Sequence, residues 1–556
     1  MAISLPKKKL ALNDVKEFDS FRTMLNIARE EAGETVALKY KKNGAVHDVT
    51  YNELCNRVDA LGTAMMTLPE GLSRVAVIGE GGAQSICSIL TALCSEGTVV
   101  PIDRNLPFDF ILGIIAHSEC TSVLFDRSLA SSFEEKAAEL PFVKNLICFD
   151  LPPHEQKGVV LSYKALVEKG ESLLANDCTD FTILAPKGER CCMILYKTGE
   201  IDSLKGVTFS QSALRDAVIG TLQQASPRKK CLSVLSYDKP SVLVDGLLCT
   251  LHLHKTVCIG EGAKNFLKNL QYHKPDYILL PPLYVEGIWQ KTVKTIEKQG
   301  RAETMEKLVK TSNTMRKIGI DRRKTFFSAI HEMFGGELET IHVTGAAIDP
   351  DAVRFFDDIG ISVLSSYDIP ECACSISANR TKLLDADSAG LLLPSVEIKI
   401  ADPDEEGAGE ICVRGDVLMT GYFKNDDATK KVRELSGWLH TGDIGKVNAQ
   451  GQLYLTGRVN EGIVLKCGKT VNPSEIESYL CSLAGVKEAT VFAGDAQKGA
   501  EIPLVAHIVL NEETVSSLTK SERTALIKEK IDALNRTLPP YKRVSKVRIE
   551  APGKDA

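Results

Sequence analysis

The chain has 556 residues, which at roughly 100–200 residues per domain allows several folding units. Hydrophobic residues make up 44% and charged residues 25%, a balance that excludes a disordered tail protein, a collagen-like chain and a small stapled scaffold. The net charge of −6, with a pI near 6.0, offers no global basic field for nucleic acid.

The start, MAISLPKKKLALNDVKEF, lacks the apolar core and cleavage site of a secretory leader, and Lys7, Lys8 and Lys9 read as a solvated chain end. No apolar run approaches the roughly 18 residues of a membrane span. A cytoplasmic protein is expected. Its sixteen cysteines include no CxxC pair. Cys372 and Cys374 form a CxC without a second Cys/His pair at zinc-like spacing, so buried free thiols are the expectation.

In chain order, SRVAVIGEGG reads as a strand running into glycines, AQSICSILTALCSEG as an apolar helix and GTVVPID as a second strand. LPFDFILGIIAHSEC is then a helix and TSVLFD a third strand. Apolar runs without strict alternation suit parallel strands covered on both faces. Gly79, Gly81 and Gly82 do not complete a GxGxxG fingerprint. The same rhythm returns at CLSVLSYD, TVCIG and PDYILLPP, and again at LETIHVTG and GISVLSSYD. In LHLH, His252 and His254 would share one face of a strand. The Lys/Arg/Glu-rich stretch between residues 285 and 330 reads as an amphipathic helix with a solvated face. From about residue 390 short alternating strands signal a β-rich subdomain. After TGRVNEG comes a compact α/β unit: helix EIESYLCSL, strands EATVFAG and VAHIVL, and helix SERTALIKEKIDALNRTL.

Several motifs in fixed order make the chain similar to the AMP-forming adenylating enzymes, and among them to long-chain acyl-CoA synthetases. The sharpest is GWLHTGDIGKVNAQGQLYLTGRVNEGIVLKCGKTVNPSEIE at 437–477. MTGYFKNDDATKK, GGELETIHVTGAAIDP and the TYNEL segment fit the same pattern, and RRKTFFSAIHEMFGG resembles the long-chain subfamily. The resemblance implies an α/β fold: a large N-terminal region at 1–456 (subdomains roughly 1–185, 186–340 and 341–456) and a mobile lid at 457–556, hinged near 457–462. It implies ATP or AMP, Mg²⁺ and coenzyme A as ligands, and a fatty or other apolar carboxylate as substrate. The acyl acceptor is CoA or an acyl carrier protein, and peripheral membrane contact is compatible with such a substrate.

Residue by residue, the resemblance assigns both ribose hydroxyls to Asp443, whose carboxylate offers two acceptor oxygens, and a guanidinium fork to Arg458. Glu371 takes the place of the magnesium ligand. Gly345, Ala346 and Ala347 match the small residues against which adenine lies, with Tyr367 beside them. Thr198, Gly199 and Lys205 fall in the phosphate loop. Asn460 matches the hinge, Lys466 and Gly468 the loop that approaches the centre for thioester formation, and Lys554 is the one candidate for the terminal catalytic lysine.

Four departures stand against that pattern. The phosphate loop reads YKTGEIDSLKG at 196–206, with Glu200, Ile201 and Asp202 where the family has two threonines and a glycine. A carboxylate about 5 Å from a phosphate charge, at an effective dielectric near 20, is repelled by roughly 3 kcal/mol. LSYDKPSV carries Asp238 and Lys239 in place of the aromatic and histidine residues. The YGxTE motif has become Tyr367, Asp368, Ile369, Pro370 and Glu371, with an extra negative charge. Lys554 lacks the flanking sequence of the family's lysine, and PYKRVSKVRIEAPGKDA reads as a solvated basic end. A catalytically impaired relative that keeps nucleotide or acyl binding is the alternative reading.

Overall fold

The computed structural model describes residues 3–4, 12–42, 44–155, 159–196, 204–224, 228–262, 265–459, 463–464, 470–471, 473–494, 503–511, 519–538 and 542–550. The chain divides into two compact units, one of residues 4–397 and 414–438, the other of residues 1–3, 398–413 and 439–556. Each unit has its own sheets.

The larger unit holds two extended sheets. The first has eight strands, and six of them run parallel: Cys191–Tyr196, Thr98–Ile102, Arg74–Ile78, Ser122–Phe125, Asn145–Cys148 and Val160–Ser162. Gly206–Ser210 and Gly421–Tyr422 extend it with antiparallel pairing at one edge. The second has nine strands, parallel from Ser362–Tyr367 through Thr340–Val343, Tyr277–Leu280, Lys230–Ser233 and Thr256–Ile259 to Val36–Lys42. Strands at the centre are buried along their whole length, which explains their unalternated apolar runs.

Helices are placed where the apolar period indicated. Ala83–Leu93 is buried at all but one of its eleven positions, as a helix apolar all round must be. Tyr51–Met66 starts in a capping box, the Thr50 hydroxyl accepting from Glu53 N–H while Glu53 accepts from the Thr50 N–H. The charged stretch after residue 285 is two helices rather than one, Pro282–Lys298 and Ala302–Lys317. They part at Gly300, whose φ of +64° ends a helix at little cost for glycine alone. LHLH is not a strand. Cys249–His252 is helical and follows a π-helical stretch, Val242–Leu248, so the two histidines diverge. His252 Nε2 then pairs with the Lys16 carbonyl at 2.8 Å.

The smaller unit combines an antiparallel set, in which Leu439–Val447 pairs with both Gly409–Arg414 and Leu453–Arg458, with a three-stranded sheet. In the latter, Val486–Ala493 pairs antiparallel with Leu504–Leu510. The basic stretch near the C-terminus keeps most of its charges in solvent but is ordered as a strand. Val544–Glu550 is a strand, parallel to Leu504–Leu510. Its basic residues Lys546 and Arg548 face outward, but Lys542 is buried, with its Nζ 3.0 Å from Glu475 Oε1 and 3.6 Å from Glu406 Oε1. Alternation let a strand hide among the charges. The described cysteines are free thiols and mostly buried, Cys372 and Cys374 among them.

Candidate functional site

In the larger unit, a cleft of about 1490 Å³ opens where both parallel sheets end. Gly79, Asp103 and Asp126 line it from the carboxyl ends of strands in the first sheet, and Ser236, Asp238 and Gly260 from the second. Crevices at the carboxyl ends of parallel strands are where α/β sheets take ligands. Burial raises the carboxyl pKa of Asp238 above the usual range.

Close to the end of the second sheet lie the motif residues. Strand Ser362–Tyr367 delivers a buried Tyr367, and Glu371 follows four residues later, 7% exposed. The Tyr422 hydroxyl donates to Glu371 Oε1 at 2.5 Å. Burial, and then the adjoining Glu371 charge, push the Tyr422 pKa far above the phenol range, so the hydroxyl stays a donor. Tyr422 belongs to the edge strand Gly421–Tyr422, paired to Val207 and Thr208 just past the phosphate-loop segment. Exposed Lys205 places its Nζ 5.5 Å from the Tyr422 ring centre. Lys205, Tyr422 and Glu371 therefore form one group. The motif MTGYF, which contains Tyr422, was the available signal for this partner.

Asp368 is turned inward. Its carboxylate accepts from Thr344 Oγ1 at 2.6 Å, Ser366 Oγ at 2.9 Å and Ser375 Oγ at 2.5 Å. Three hydroxyls thus compensate the charge that the altered motif adds. Gly345, Ala346 and Ala347 follow strand Thr340–Val343 and are exposed. Gly345 has φ +92°, a conformation that favours glycine, and open space where a Cβ would stand.

In the smaller unit, TGD lies within strand Leu439–Val447. Asp443 is 8% exposed and faces Arg458 across the ladder, with Arg458 Nε donating to Asp443 Oδ1 at 2.9 Å. The Asp443 N–H donates to Thr441 Oγ1 at 3.1 Å, and Glu410 holds the same segment through His440 Nδ1 and the Gly442 N–H. Arg458 keeps an exposed side chain, so its guanidinium reaches solvent while Asp443 stays fixed. Thr198, Gly199, Asn460, Lys466, Gly468 and Lys554 lie outside the described residues, as do Glu200, Ile201 and Asp202.

The motif order that carries these residues matches a family model. The model of the AMP-binding enzyme covers residues 26–423, and that of the AMP-binding enzyme C-terminal domain covers residues 460–555. The chain belongs to the AMP-binding enzyme family. Relatives within it include the long-chain-fatty-acid–CoA ligase ACSBG1 of Rattus norvegicus, 24% identical over 514 residues, covering 88% of this chain and 71% of that protein. The Homo sapiens ACSBG1 is 23% identical over 513 residues, covering 88% and 70%. Among solved structures, ATP-bound MatB from Rhodopseudomonas palustris superposes with a TM-score of 0.71 at 18% identity, covering 95% of each chain. A Mycobacterium tuberculosis fatty acyl CoA synthetase gives 0.65 at 17% identity over 96% and 94%. These superpositions carry the fold of AMP-binding enzymes across nearly the whole chain. Among the described residues, no helix of this family member is long and apolar enough to cross a membrane.

Proposed function

We propose that this chain activates an apolar, fatty carboxylic acid as its acyl-adenylate and transfers the acyl group to the thiol of coenzyme A. The observation that carries the reading is the buried Glu371, held by Tyr422 beside Lys205, in a chain whose Asp443–Arg458 pair is intact. In the first step a substrate carboxylate oxygen bonds to the α-phosphorus of ATP, and the bond to the β-phosphate oxygen breaks to release pyrophosphate. In the second, the thiol sulfur bonds to the acyl carbon, the thiol proton passes to solvent and AMP leaves.

Asp443 accepts the ribose hydroxyls, and Arg458 both orients Asp443 and faces the nucleotide as a cation. Lys205 supplies a positive charge near the phosphates. Glu371 is the residue that would hold magnesium: an ionised carboxylate, whose one oxygen is fixed by Tyr422, suits a hard cation. Magnesium, when bound, offsets phosphate charge. Asn460 serves as the hinge for residues 457–556, Lys466 and Gly468 approach for thioester formation, and Lys554 provides the terminal cation. Proteolysis between Arg458 and Gly462 tests the hinge, because linkers of this type are cut first.

A second reading has its own support. Glu200 and Asp202 replace a threonine and a glycine in the phosphate loop, and Lys554 lacks its flanking motif. Such a chain binds AMP or an acyl-adenylate and turns over weakly. Acid-dependent exchange of labelled pyrophosphate into ATP, measured beside calorimetric binding of AMP, separates the two. Exchange above the no-acid blank supports the ligase. AMP binding without exchange supports the impaired relative.

A further inference from the structure

Within the larger unit, residues 282–324 carry eleven Lys or Arg and five Asp or Glu, a net +6 inside a chain whose net charge is −6. The helices Pro282–Lys298 and Ala302–Lys317 turn their apolar sides inward, Val285 and Ile288 from the first and Leu308 and Val309 from the second packing on the core. Their outer faces differ. On the second helix Lys307 and Lys310 are neutralised by Glu303 and Glu306 one turn earlier, at 2.7 and 2.6 Å. On the first, helical geometry brings Leu283, Lys291, Lys294 and Lys298 within about 80° of one another, in a stripe without an acid. Leu283 is 77% exposed.

The second helix ends in a turn that presents two isoleucines to solvent, Ile318 at 72% and Ile320 at 42% exposure. Gly319, at φ +82°, closes a Schellman motif: its N–H donates to the Arg316 carbonyl and the Ile320 N–H to the Met315 carbonyl, both at 3.0 Å. The Ile318 N–H also donates to the Met315 carbonyl, at 3.1 Å. The turn is thereby fixed, and its three donors are satisfied internally, as burial against lipid requires. Lys317 and Arg322 flank the isoleucines and are exposed. Asp321 beside them is taken by Arg323 at 2.6 Å. Lys317 and Arg322 have no acidic partner among the described residues, and neither have Lys291, Lys298 and Arg301.

We propose that the turn at 317–322 is a docking tip for the surface of an anionic lipid bilayer. Ile318 and Ile320 enter the interface, Lys317 and Arg322 meet headgroup charge, and the net positive charge of residues 282–324 draws the chain to the surface. Charge complementarity, joined to the apolar tip, selects this occupant. A nucleic acid would match the cations but leave the isoleucines in water, and a second copy of the chain would set two positive faces against each other. A bilayer with anionic headgroups satisfies both features. The inference does not rest on the reaction proposed above.

The test is co-sedimentation of the full chain with vesicles of phosphatidylcholine alone and of phosphatidylcholine with about one-third phosphatidylserine. At about fivefold for each engaged cation, the anionic vesicles bind the chain at least about tenfold more tightly, and the difference shrinks as salt is raised from about 0.1 to 0.5 M. Ile318→Ser lowers that binding about fivefold to tenfold and leaves the melting temperature unchanged, because the side chain is exposed. Lys317→Glu combined with Arg322→Glu lowers it at least about tenfold, whereas the same change at exposed Lys430 and Lys431, on the helix Asp426–Val432, lowers it about twofold at most. Equal binding to both vesicles, binding to neither, equal losses with the two charge variants, or an Ile318→Ser chain that binds unchanged overturns the proposal. Self-association without vesicles that Ile318→Ser abolishes assigns the turn to a second copy instead, and overturns it too.

Discussion

The Tyr422 hydroxyl and the Glu371 carboxylate, 51 residues apart in the chain, share a 2.5 Å hydrogen bond in a buried position. An edge strand of the first sheet is thereby tied to the loop that ends the second. Tyr422→Phe leaves the buried carboxylate with one donor fewer and is expected to lower unfolding stability by about 1–3 kcal/mol. Urea denaturation measures that loss. The same variant should shift the magnesium dependence of ATP binding, whereas a purely structural bond would leave it unchanged.

Asp443 and Arg458 make a prediction about the nucleotide. Gly345–Ala347, Asp443 and Arg458 match the family pattern in the sequence, whereas the phosphate-loop segment carries Glu200 and Asp202. AMP, or an acyl-adenylate mimic, is expected to bind at least as tightly as ATP. Asp443→Ala should weaken AMP and ATP alike by about ten- to a hundredfold, the value of charge-assisted hydrogen bonds. Calorimetry with the three ligands decides it, and ATP binding far tighter than AMP would refute it.

The phosphate loop is tested by restoring it. Glu200→Thr combined with Asp202→Gly removes two negative charges and leaves Asp443 and Glu371 in place. ATP affinity is expected to rise by about ten- to a thousandfold after solvent screening, with AMP affinity unchanged. A fall in ATP affinity, with a changed magnesium requirement, would instead identify the two carboxylates as metal ligands.

Arg228 is predicted to matter for folding. Its side chain is fully buried against Asp245, and its guanidinium carbon lies 3.7 Å from the Tyr277 ring centre. Burial would raise the Asp245 pKa, but the Arg228 charge and the His342 and Tyr277 hydrogen bonds hold it well below the carboxylate range. Arg228→Met strands that anion and should cost about 3–5 kcal/mol, read from the denaturant midpoint.

His273 supplies a pH dependence. Burial, and then the nearby Lys39 and Lys230 charges, lower its pKa from 6.5 to about 4. The unfolded chain therefore binds this proton more readily than the folded one. The stabilising contribution is complete above pH 6.5 and is lost as the pH falls towards about 4. Melting temperatures taken across that window should decline with pH, and His273→Phe should flatten the decline. A slope identical in the variant would remove His273 from the account.

Periodicity made much of the fold legible. Runs such as VAVI and TVVPI have no polar face, and only a strand buried on both sides tolerates that. Motif order then paired Asp443 with Arg458, and Glu371 with the Gly345–Ala347 segment, as residues to inspect without any coordinates, because several short motifs in fixed order are more specific than any one of them. Other features could not be read along the chain. Alternating charged residues concealed the strand Val544–Glu550, since an exposed edge and a solvated tail have the same composition. The inward turn of Asp368 depends on Thr344 and Ser375, hydroxyls that become neighbours only when strands from distant segments align. Tyr422 reaches Glu371, and His342 reaches Asp245, for the same reason. Local sequence governs which face a strand buries, but the pairing of polar atoms across 50 or 100 residues is a property of the packed sheets, where an unmatched charge is costly enough to require a partner.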